Sequence, residues 1–297
     1  MRKVSLLILV VLFLGTSLAA QKTGPKVFIS VDMEGIWGVV AGRQTSSESS
    51  EYGAARKWMA EDANAVVAGL FEAGASEVVV NDSHGSMRNI IADELDPRAG
   101  LISGSPKPLS MMQGIDDTFA ACILIGYHAR AGTAGAVLDH TYSGATIRSI
   151  KVNGREMPEL GLNAAIAGYF NVPVIMLSGD TETCAQARSI LGEDIVTVAV
   201  KEAVGRYAAS NLPREAALKR LKEGAKEALL KRGKVSLFKP NAPYKFELDF
   251  NTSAQTEMPM LVPNVKKTGA RAVEFSATDY IEGFKLMRAL IALAGIS

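Results

Sequence analysis

Short apolar runs alternate with helix-like periodicity along most of this 297-residue chain. The apolar runs predict buried strands at Val27–Val31, Val78–Val80, Ile123–Ile125, Pro173–Leu177 and Ile195–Val200, and an alternating strand at Ile147–Val152. Apolar residues spaced by three and four predict helices at Glu51–Ala73, Glu159–Phe170 and Glu182–Leu191. Continuous apolar strands that alternate with helices predict an α/β fold with a mostly parallel sheet and flanking helices.

The pattern changes after about residue 201. The later segments predict a long charged helix at Arg214–Arg232, an alternating strand at Tyr244–Phe250, a short strand at Ala272–Ser276 and a closing helix at Tyr280–Ala294. We therefore expect an α/β metal-binding catalytic domain at residues 24–200. Residues 201–297 are expected to form a smaller C-terminal α+β lobe that serves as an oligomer interface.

The first twenty residues have the layout of a secretory signal peptide. A positive head at Arg2 and Lys3 precedes an apolar run, and small residues follow it. An uncleaved anchor is the alternative, but the apolar run is short of the roughly 20 residues that span a bilayer. We expect residues 1–20 to be removed and the mature protein to be periplasmic or extracellular, with no membrane attachment.

Composition excludes several other classes of protein. With 32 Lys+Arg against 31 Asp+Glu, the formal net charge of +1 gives no support to nucleic-acid binding. Two cysteines, Cys122 and Cys184, cannot form a disulfide framework or a cysteine zinc cluster. Only three histidines are available for chemistry, namely His84, His128 and His140.

Metal-ligand residue types follow three of the predicted strands. Asp32 and Glu34 follow the first strand, His84 the second and His128 the third. Ligands of open α/β sheets bind beyond the carboxyl ends of the strands, and carboxylates and imidazoles are typical zinc ligands. Each residue also has a structural interpretation. The two acids can cap a loop or pair with Arg43, the segment with His84 can be a strand-to-helix turn with an Asx hydrogen bond, and His128 can be a core histidine. Together they favour a metal site.

Three further residues have open roles at this level. His140 follows a Gly- and Ala-rich loop and is either a proton shuttle or an exposed loop residue. Glu159 opens a predicted helix, where an acid also favours the helix dipole, and Glu156 competes with it for any functional role. Asp180 ends a strand, either as a support for the site or as a helix cap.

Five sequence blocks together resemble the zinc-dependent D-aminopeptidase family of the dipeptide-transport operon type. They occur in the family's order over most of residues 26–200, and the chain after residue 201 matches more loosely. The blocks are Ser-Val-Asp-Met-Glu-Gly from Ser30, Asn-Asp-Ser-His from Asn81, Leu-Ile-Ser-Gly from Leu101, Gly-Tyr-His-Ala-Arg from Gly126 and Glu-Leu-Gly-Leu-Asn-Ala from Glu159.

The resemblance implies two zinc ions per subunit and a short peptide substrate. By position in the blocks, it assigns as metal ligands Asp32, Glu34, His84, His128 and Glu159. It also assigns a catalytic role to a histidine in the loop after the fourth block, which only His140 can fill. It further implies a ring-like homo-oligomer, with a decamer as one expected size.

We therefore expect a metal-dependent aminopeptidase that releases N-terminal residues, D-residues by resemblance, from short peptides. Two zinc ions that share Asp32 would activate a water molecule. His140 would shuttle a proton or act as a nucleophile. The alternatives are a dinuclear-metal hydrolase of another amide or phosphoester, and an exported solute-binding protein without catalysis.

Overall fold

The computed structural model describes residues 23–296, which contain twelve β-strands and six α-helices. The strands are β1 (Lys26–Val31), β2 (Glu77–Asp82), β3 (Gly100–Ile102), β4 (Ala121–Ile125), β5 (Ile147–Val152), β6 (Arg155–Glu156), β7 (Val174–Asp180), β8 (Val196–Gly205), β9 (Ala208–Asn211), β10 (Tyr244–Phe250), β11 (Lys266–Lys267) and β12 (Ala272–Ala277). The helices are α1 (Gly42–Thr45), α2 (Tyr52–Glu72), α3 (Glu159–Tyr169), α4 (Thr181–Leu191), α5 (Arg214–Lys231) and α6 (Tyr280–Ala294). Short 3-10 helices lie at Ala92–Glu94, Ser110–Met112, Arg232–Lys234, Ala254–Thr256 and Pro259–Leu261.

The larger sheet has seven strands in the order β3-β2-β1-β4-β7-β8-β9. Its strands pair in parallel except for the edge strand β9, which runs antiparallel to β8. Strands β1, β4 and β7 are almost wholly buried, as expected for strands covered on both faces. The predicted α/β fold with a mostly parallel sheet and flanking helices is confirmed.

A separate apolar core lies on each face of this sheet. On one face, Val27 and Ile29 of β1 pack with α2 and α5. Gly69 lets these two helices approach, because a β-carbon there would lie 2.2 Å from the carbonyl oxygen of Lys222. On the other face, Phe28 of β1 belongs to a core with α3, α4, α6 and the second sheet. The central strand β1 therefore links both cores.

The second sheet is antiparallel, with five strands in the order β11-β12-β10-β5-β6. Strand β10 lies at its centre and buries alternate residues, as its sequence pattern predicts. The sheet takes β5 and β6 from before residue 200 and its other strands from after it, while α5 packs beside α2 on the larger sheet. The division into residues 24–200 and 201–297 stays a prediction.

The predicted elements agree with the structure to within a few residues, apart from β8, which runs to Gly205. Several short elements have no counterpart in the sequence prediction, namely α1, β3, β6, β9 and β11. The predicted signal peptide at residues 1–20 lies outside the described residues. Between residues 23 and 296, no helix combines the length and the apolar character needed to cross a bilayer.

Candidate active site

Three neighbouring parallel strands bring the predicted ligands together. In the register of the sheet, Val31 at the end of β1 lies between Asp82 of β2 and Ile125 of β4. Asp32 and Glu34 follow β1, and the two histidines follow the flanking strands within three residues. The convergence expected from the sequence therefore results from a shared strand register.

Close backbone contacts hold the loops after β1 and β4 against each other. Asp32 N donates to the Ile125 carbonyl oxygen at 2.8 Å, and Gly35 N donates to the Gly126 carbonyl oxygen at 2.7 Å. A β-carbon at Gly35 would lie 1.8 Å from the carbonyl oxygen of Tyr127. Gly126 has a φ of +69°, a conformation that favours glycine. The two glycines allow the ligand-bearing loops to meet.

The two carboxylate oxygens of Asp32 face different histidines. Oδ1 lies 3.3 Å from His84 Nδ1, and Oδ2 lies 3.5 Å from His128 Nε2. Each histidine has a second carboxylate beside it, because Glu34 Oε2 lies 3.0 Å from His84 Nδ1 and Glu159 Oε1 lies 3.3 Å from His128 Nε2. The cluster thus has two halves that share Asp32.

Backbone carbonyls fix the orientation of the three imidazole rings. His84 Nε2 donates to Thr45 O at 2.9 Å, His128 Nδ1 to Ala129 O at 3.0 Å and His140 Nδ1 to Leu138 O at 2.9 Å. Because a carbonyl only accepts, each of these ring nitrogens carries the proton. The other nitrogen of each ring is then available to a metal or a proton, as in metal sites whose histidines are oriented by a second hydrogen bond.

Unpaired buried atoms concentrate at this point. Asp32 Oδ2, Glu34 Oε2 and His128 Nε2 are buried, and although other side chains of the cluster lie 3.0 to 3.5 Å from them, none of the three makes a well-aligned hydrogen bond among residues 23–296. Leaving such atoms unpaired is costly, so several in one place indicate a ligand. Their oxygen and nitrogen donors suit zinc and similar divalent ions. The residues present therefore fit a metal centre.

Burial and mutual charge shift the pKa values of the cluster. Burial, and next the neighbouring Glu34, raise the pKa of Asp32 to about 7. Burial lowers the pKa of His128, but Glu159 and Asp32 outweigh it and bring this pKa to about 10. At Glu34 and Glu159, burial is instead outweighed by the neighbouring histidines, which lower the pKa values of these acids, so their negative charge keeps protons on the histidines of the cluster. A bound cation compensates the same negative charge and displaces those protons.

Glu159, rather than Glu156, lies at the cluster. It begins α3, is 4% exposed, and its Oε1 accepts a 2.6 Å hydrogen bond from Tyr142 N. Glu156 instead pairs with Arg130 at 3.2 Å, with about a third of its side chain exposed. The structure thus shows which of the two acids lies at the cluster, a choice that their residue type alone left open.

His140 lies against the cluster on its open side. Its Nε2 is 3.8 Å from Glu159 Oε1, and 21% of its side chain is exposed. The ligand atoms of His128, His140 and Glu159 all lie within 4.8 Å of one another, as do those of Asp32, Glu34 and His128. Geometry alone therefore admits His140 either as a ligand or as a free acid–base group.

Asp180 combines the two roles that the sequence left open. Its Oδ1 accepts a hydrogen bond from Thr183 N at 2.8 Å in the first turn of α4. Its Oδ2 accepts from Val137 N at 2.7 Å, which ties the loop before His140 to the end of β7. Asp180 therefore supports the site through the backbone.

Three supporting residues have no role in the sequence prediction. Tyr142 fixes Glu159, and Lys201 donates from a buried Nζ to the carbonyl oxygens of Glu34 and Ile36 at 2.6 and 2.9 Å. Arg288 of α6 lines the cavity that opens from the cluster. Of the three, only Lys201 could have been noticed in the sequence, because it directly follows a predicted buried strand.

Known proteins resemble this chain in sequence and in structure. The model of the M55 peptidase family, described as D-aminopeptidase, matches residues 26–289. A D-aminopeptidase of Bacillus subtilis (strain 168) is 38% identical over 270 residues, which cover 91% of this chain and 97% of that protein. A solved structure matches with a TM-score of 0.89 and 37% identity over 92% of this chain and 98% of its own. It is described as the Zn-dependent D-aminopeptidase DppA from Bacillus subtilis, a self-compartmentalizing protease. The chain therefore belongs to the D-aminopeptidase family of zinc metallopeptidases.

Proposed function

We propose that this chain is a dinuclear zinc aminopeptidase that removes N-terminal D-residues from short peptides. The observation that carries the proposal is the pair of half-sites that share Asp32, one with Glu34 and His84 and the other with His128 and Glu159. The likeness to Zn-dependent relatives supports zinc as the metal.

The five side chains would hold the metals as two sets. Asp32 Oδ1, Glu34 and His84 Nδ1 would form one set, and Asp32 Oδ2, His128 Nε2 and Glu159 the other. Zinc held by these residues would supply Lewis-acid polarisation of a peptide carbonyl and would lower the pKa of water towards neutrality. The protein contributes fixed ligands, because each histidine is oriented by a backbone carbonyl and Glu159 by Tyr142 N.

His140 is proposed to move protons. Its Nδ1 proton is engaged by Leu138 O, so Nε2 has a free lone pair directed towards the cluster. In the metal-free chain, burial and next the positive charge of His128 lower the pKa of His140, and a zinc ion held by His128 would place a positive charge at the same point. Both situations favour a neutral His140 ring that can accept a proton. Direct attack by His140 is the alternative, but a dinuclear centre already supplies a water nucleophile. Proton transfer to the leaving amine is therefore the role we assign.

Assembly and location extend the proposal. The relative of known structure is described as self-compartmentalizing, which supports a ring-like homo-oligomer here. We propose a decamer as one size of this ring and the C-terminal lobe as its interface. The sequence pattern of residues 1–20 supports export to the periplasm or beyond. Fractionation of cells that express the full chain tests this, and mature protein in the cytoplasm would contradict it.

Zinc content and stereochemistry test the function together. The chain from residue 22 onwards is incubated with zinc, desalted and analysed for bound zinc. It is then assayed on D-alanyl and L-alanyl dipeptides. We expect about two zinc ions per chain and faster hydrolysis of the D-substrate. One zinc ion per chain would contradict the paired half-sites. No zinc in a folded protein would refute the hydrolase, and a preference for the L-substrate would refute the D-specificity.

A further inference from the structure

A basic cleft adjoins the metal cluster. Its lining includes five cationic side chains, and these are Arg130, Arg148, Lys151, Arg206 and Arg271. Three carboxylates line it as well, namely Asp139, Glu156 and Asp249. The cleft therefore has an excess of positive charge, although the chain as a whole has a formal net charge of only +1.

Two of the five cations are already engaged. Arg206 Nε pairs with Asp139 Oδ1 at 2.7 Å, and its Nη2 donates to the carbonyl oxygen of the same residue at 2.9 Å. Arg130 pairs with Glu156 at 3.2 Å. These pairs leave three cations, on β5 and just before β12, to share a single carboxylate.

The carboxylate of Asp249 only partly compensates the positive charge of these three cations. Asp249 Oδ2 lies 3.9 Å from Arg148 Nε and 3.8 Å from Arg271 Nη2, both longer than a hydrogen bond. Lys151 has no carboxylate within 4.0 Å in the described part of the chain. Among residues 23–296, the guanidinium donors of Arg148 and Arg271 therefore have no hydrogen-bond partner. They are available to an anionic ligand, which two guanidinium groups bind well.

The cleft continues directly from the catalytic cavity. His140 and Gly144 line both the cleft and the cavity that contains Asp32 and Glu159. A β-carbon at Gly144 would lie 3.7 Å from His140 Cβ, so the two residues form a narrow shared rim. A peptide with its N-terminal residue at the metal cluster would extend past His140 with its leaving group in the basic cleft.

We propose that Arg148 and Arg271, with Lys151, bind the free C-terminal carboxylate of the peptide substrate. This inference rests on the proposed aminopeptidase function, since it takes the scissile bond to lie beside His140. The negative charge of a short peptide lies at its C-terminal carboxylate, close beyond the bond that is cleaved. The cleft thus selects short peptides with a free C-terminus over blocked peptides.

The test compares two substrates that differ only in this charge. The zinc-loaded protein is assayed on D-alanyl-D-alanine and on its C-terminal amide. We expect kcat/KM to be roughly tenfold or more higher for the free acid, mainly through KM, because a charge-assisted bidentate contact is lost in the amide. Equal kcat/KM values for the two peptides would overturn the proposal.

Matched variants locate the effect. Arg148→Gln with Arg271→Gln should lower kcat/KM for the acid to near that of the amide and leave the amide within about twofold. Lys266→Gln with Lys267→Gln removes two exposed cations from the same sheet outside the cleft and should change neither value. If Arg288→Gln removes the preference while the cleft variant keeps it, Arg288 is the carboxylate site and the proposal is wrong.

A binding measurement separates this inference from the proposed function. If the zinc-incubated protein cleaves neither peptide, the aminopeptidase function fails. Calorimetric titration of that protein with the uncleaved peptides then tests the cleft by itself. Tighter binding of the acid than of the amide, lost in the Arg148→Gln/Arg271→Gln variant, supports the carboxylate site. Equal binding of the two peptides refutes it.

Discussion

The imidazole rings of His128 and His140 are stacked, with centroids 3.8 Å apart and an interplanar angle of 11°. His128 is directed into the cluster by Ala129 O, and His140 is held in parallel by Leu138 O. His140 thus keeps its position through the backbone and the stacked ring. The orientation of His140 therefore does not require a bound metal. A histidine that transfers protons needs this independence, because its Nε2 must not be occupied by a metal.

His140→Ala should lower kcat by about 100-fold to 10,000-fold, the usual contribution of a general acid–base group. Its zinc content should stay near that of the wild type, because the two half-sites do not include it. Turnover and bound zinc are measured on the same preparation. His84→Ala is the comparison and should lose zinc. If His140→Ala also loses zinc, His140 is a ligand and the proton role is wrong.

Asp32→Asn should reduce the zinc content of both half-sites, since one oxygen of Asp32 faces each of them. The neighbouring Asp82 offers a matched control at the end of β2. Its carboxylate accepts hydrogen bonds from the backbone N–H groups of Asn89 and Ile90 and does not face the cluster. Asp82→Asn should therefore act only through the loop that carries His84 and should leave zinc bound in the half-site of His128 and Glu159. Loss of a single zinc ion in Asp32→Asn would contradict the shared ligand.

Zinc binding should release protons. In the metal-free chain the pKa of His128 is about 10 and that of Asp32 about 7, so His128 holds a proton at pH 7.5 that the metal must displace. The affinity for zinc should therefore fall as the pH is lowered. Calorimetry in two buffers with different ionisation enthalpies should give at least one proton released per chain. A binding enthalpy that does not depend on the buffer would contradict the displacement.

The convergence of Asp32, His84 and His128 could be predicted because it depends on a local pattern repeated on neighbouring strands. An apolar run that ends in Asp32, Asp82-Ser83-His84 or Gly126-Tyr127-His128 marks the carboxyl end of a strand, and parallel strands end at one edge of the sheet. Asp82 shows the limit of this argument, since it has the same pattern but fixes its own loop.

Features that depend on distant contacts could not be predicted. The hairpin of β5 and β6 belongs to the second sheet, where β5 pairs with β10, about a hundred residues later in the chain. The alternation of apolar and polar residues in β5 does not indicate which strand it pairs with. Glu156 and Glu159 are equivalent by residue type. They differ because Glu156, on β6, pairs with Arg130, whereas Glu159 is the first residue of a buried helix.

Lys201 shows how a distant contact supports the loop of a proposed metal ligand. It is 2% exposed, and its Nζ donates to the carbonyl oxygens of Glu34, Ile36 and Val39, more than 160 residues earlier. Burial lowers the pKa of Lys201 to about 8, against the opposing effect of nearby carboxylates. The lysine therefore holds the loop that carries Glu34.

Lys201→Met should leave three carbonyl groups buried without a donor and lower the free energy of unfolding by about 3 kcal/mol. It should also weaken zinc binding, because the loop that carries Glu34 loses its anchor. Urea denaturation of the metal-free protein measures the first effect, and competition with a chromophoric chelator measures the second. Lys226→Met, an exposed change on α5, should alter neither value. If Lys201→Met matches the wild type in both measurements, the loop is held by its other contacts, and the 2.7 Å bond between Gly35 N and Gly126 O is the first to test.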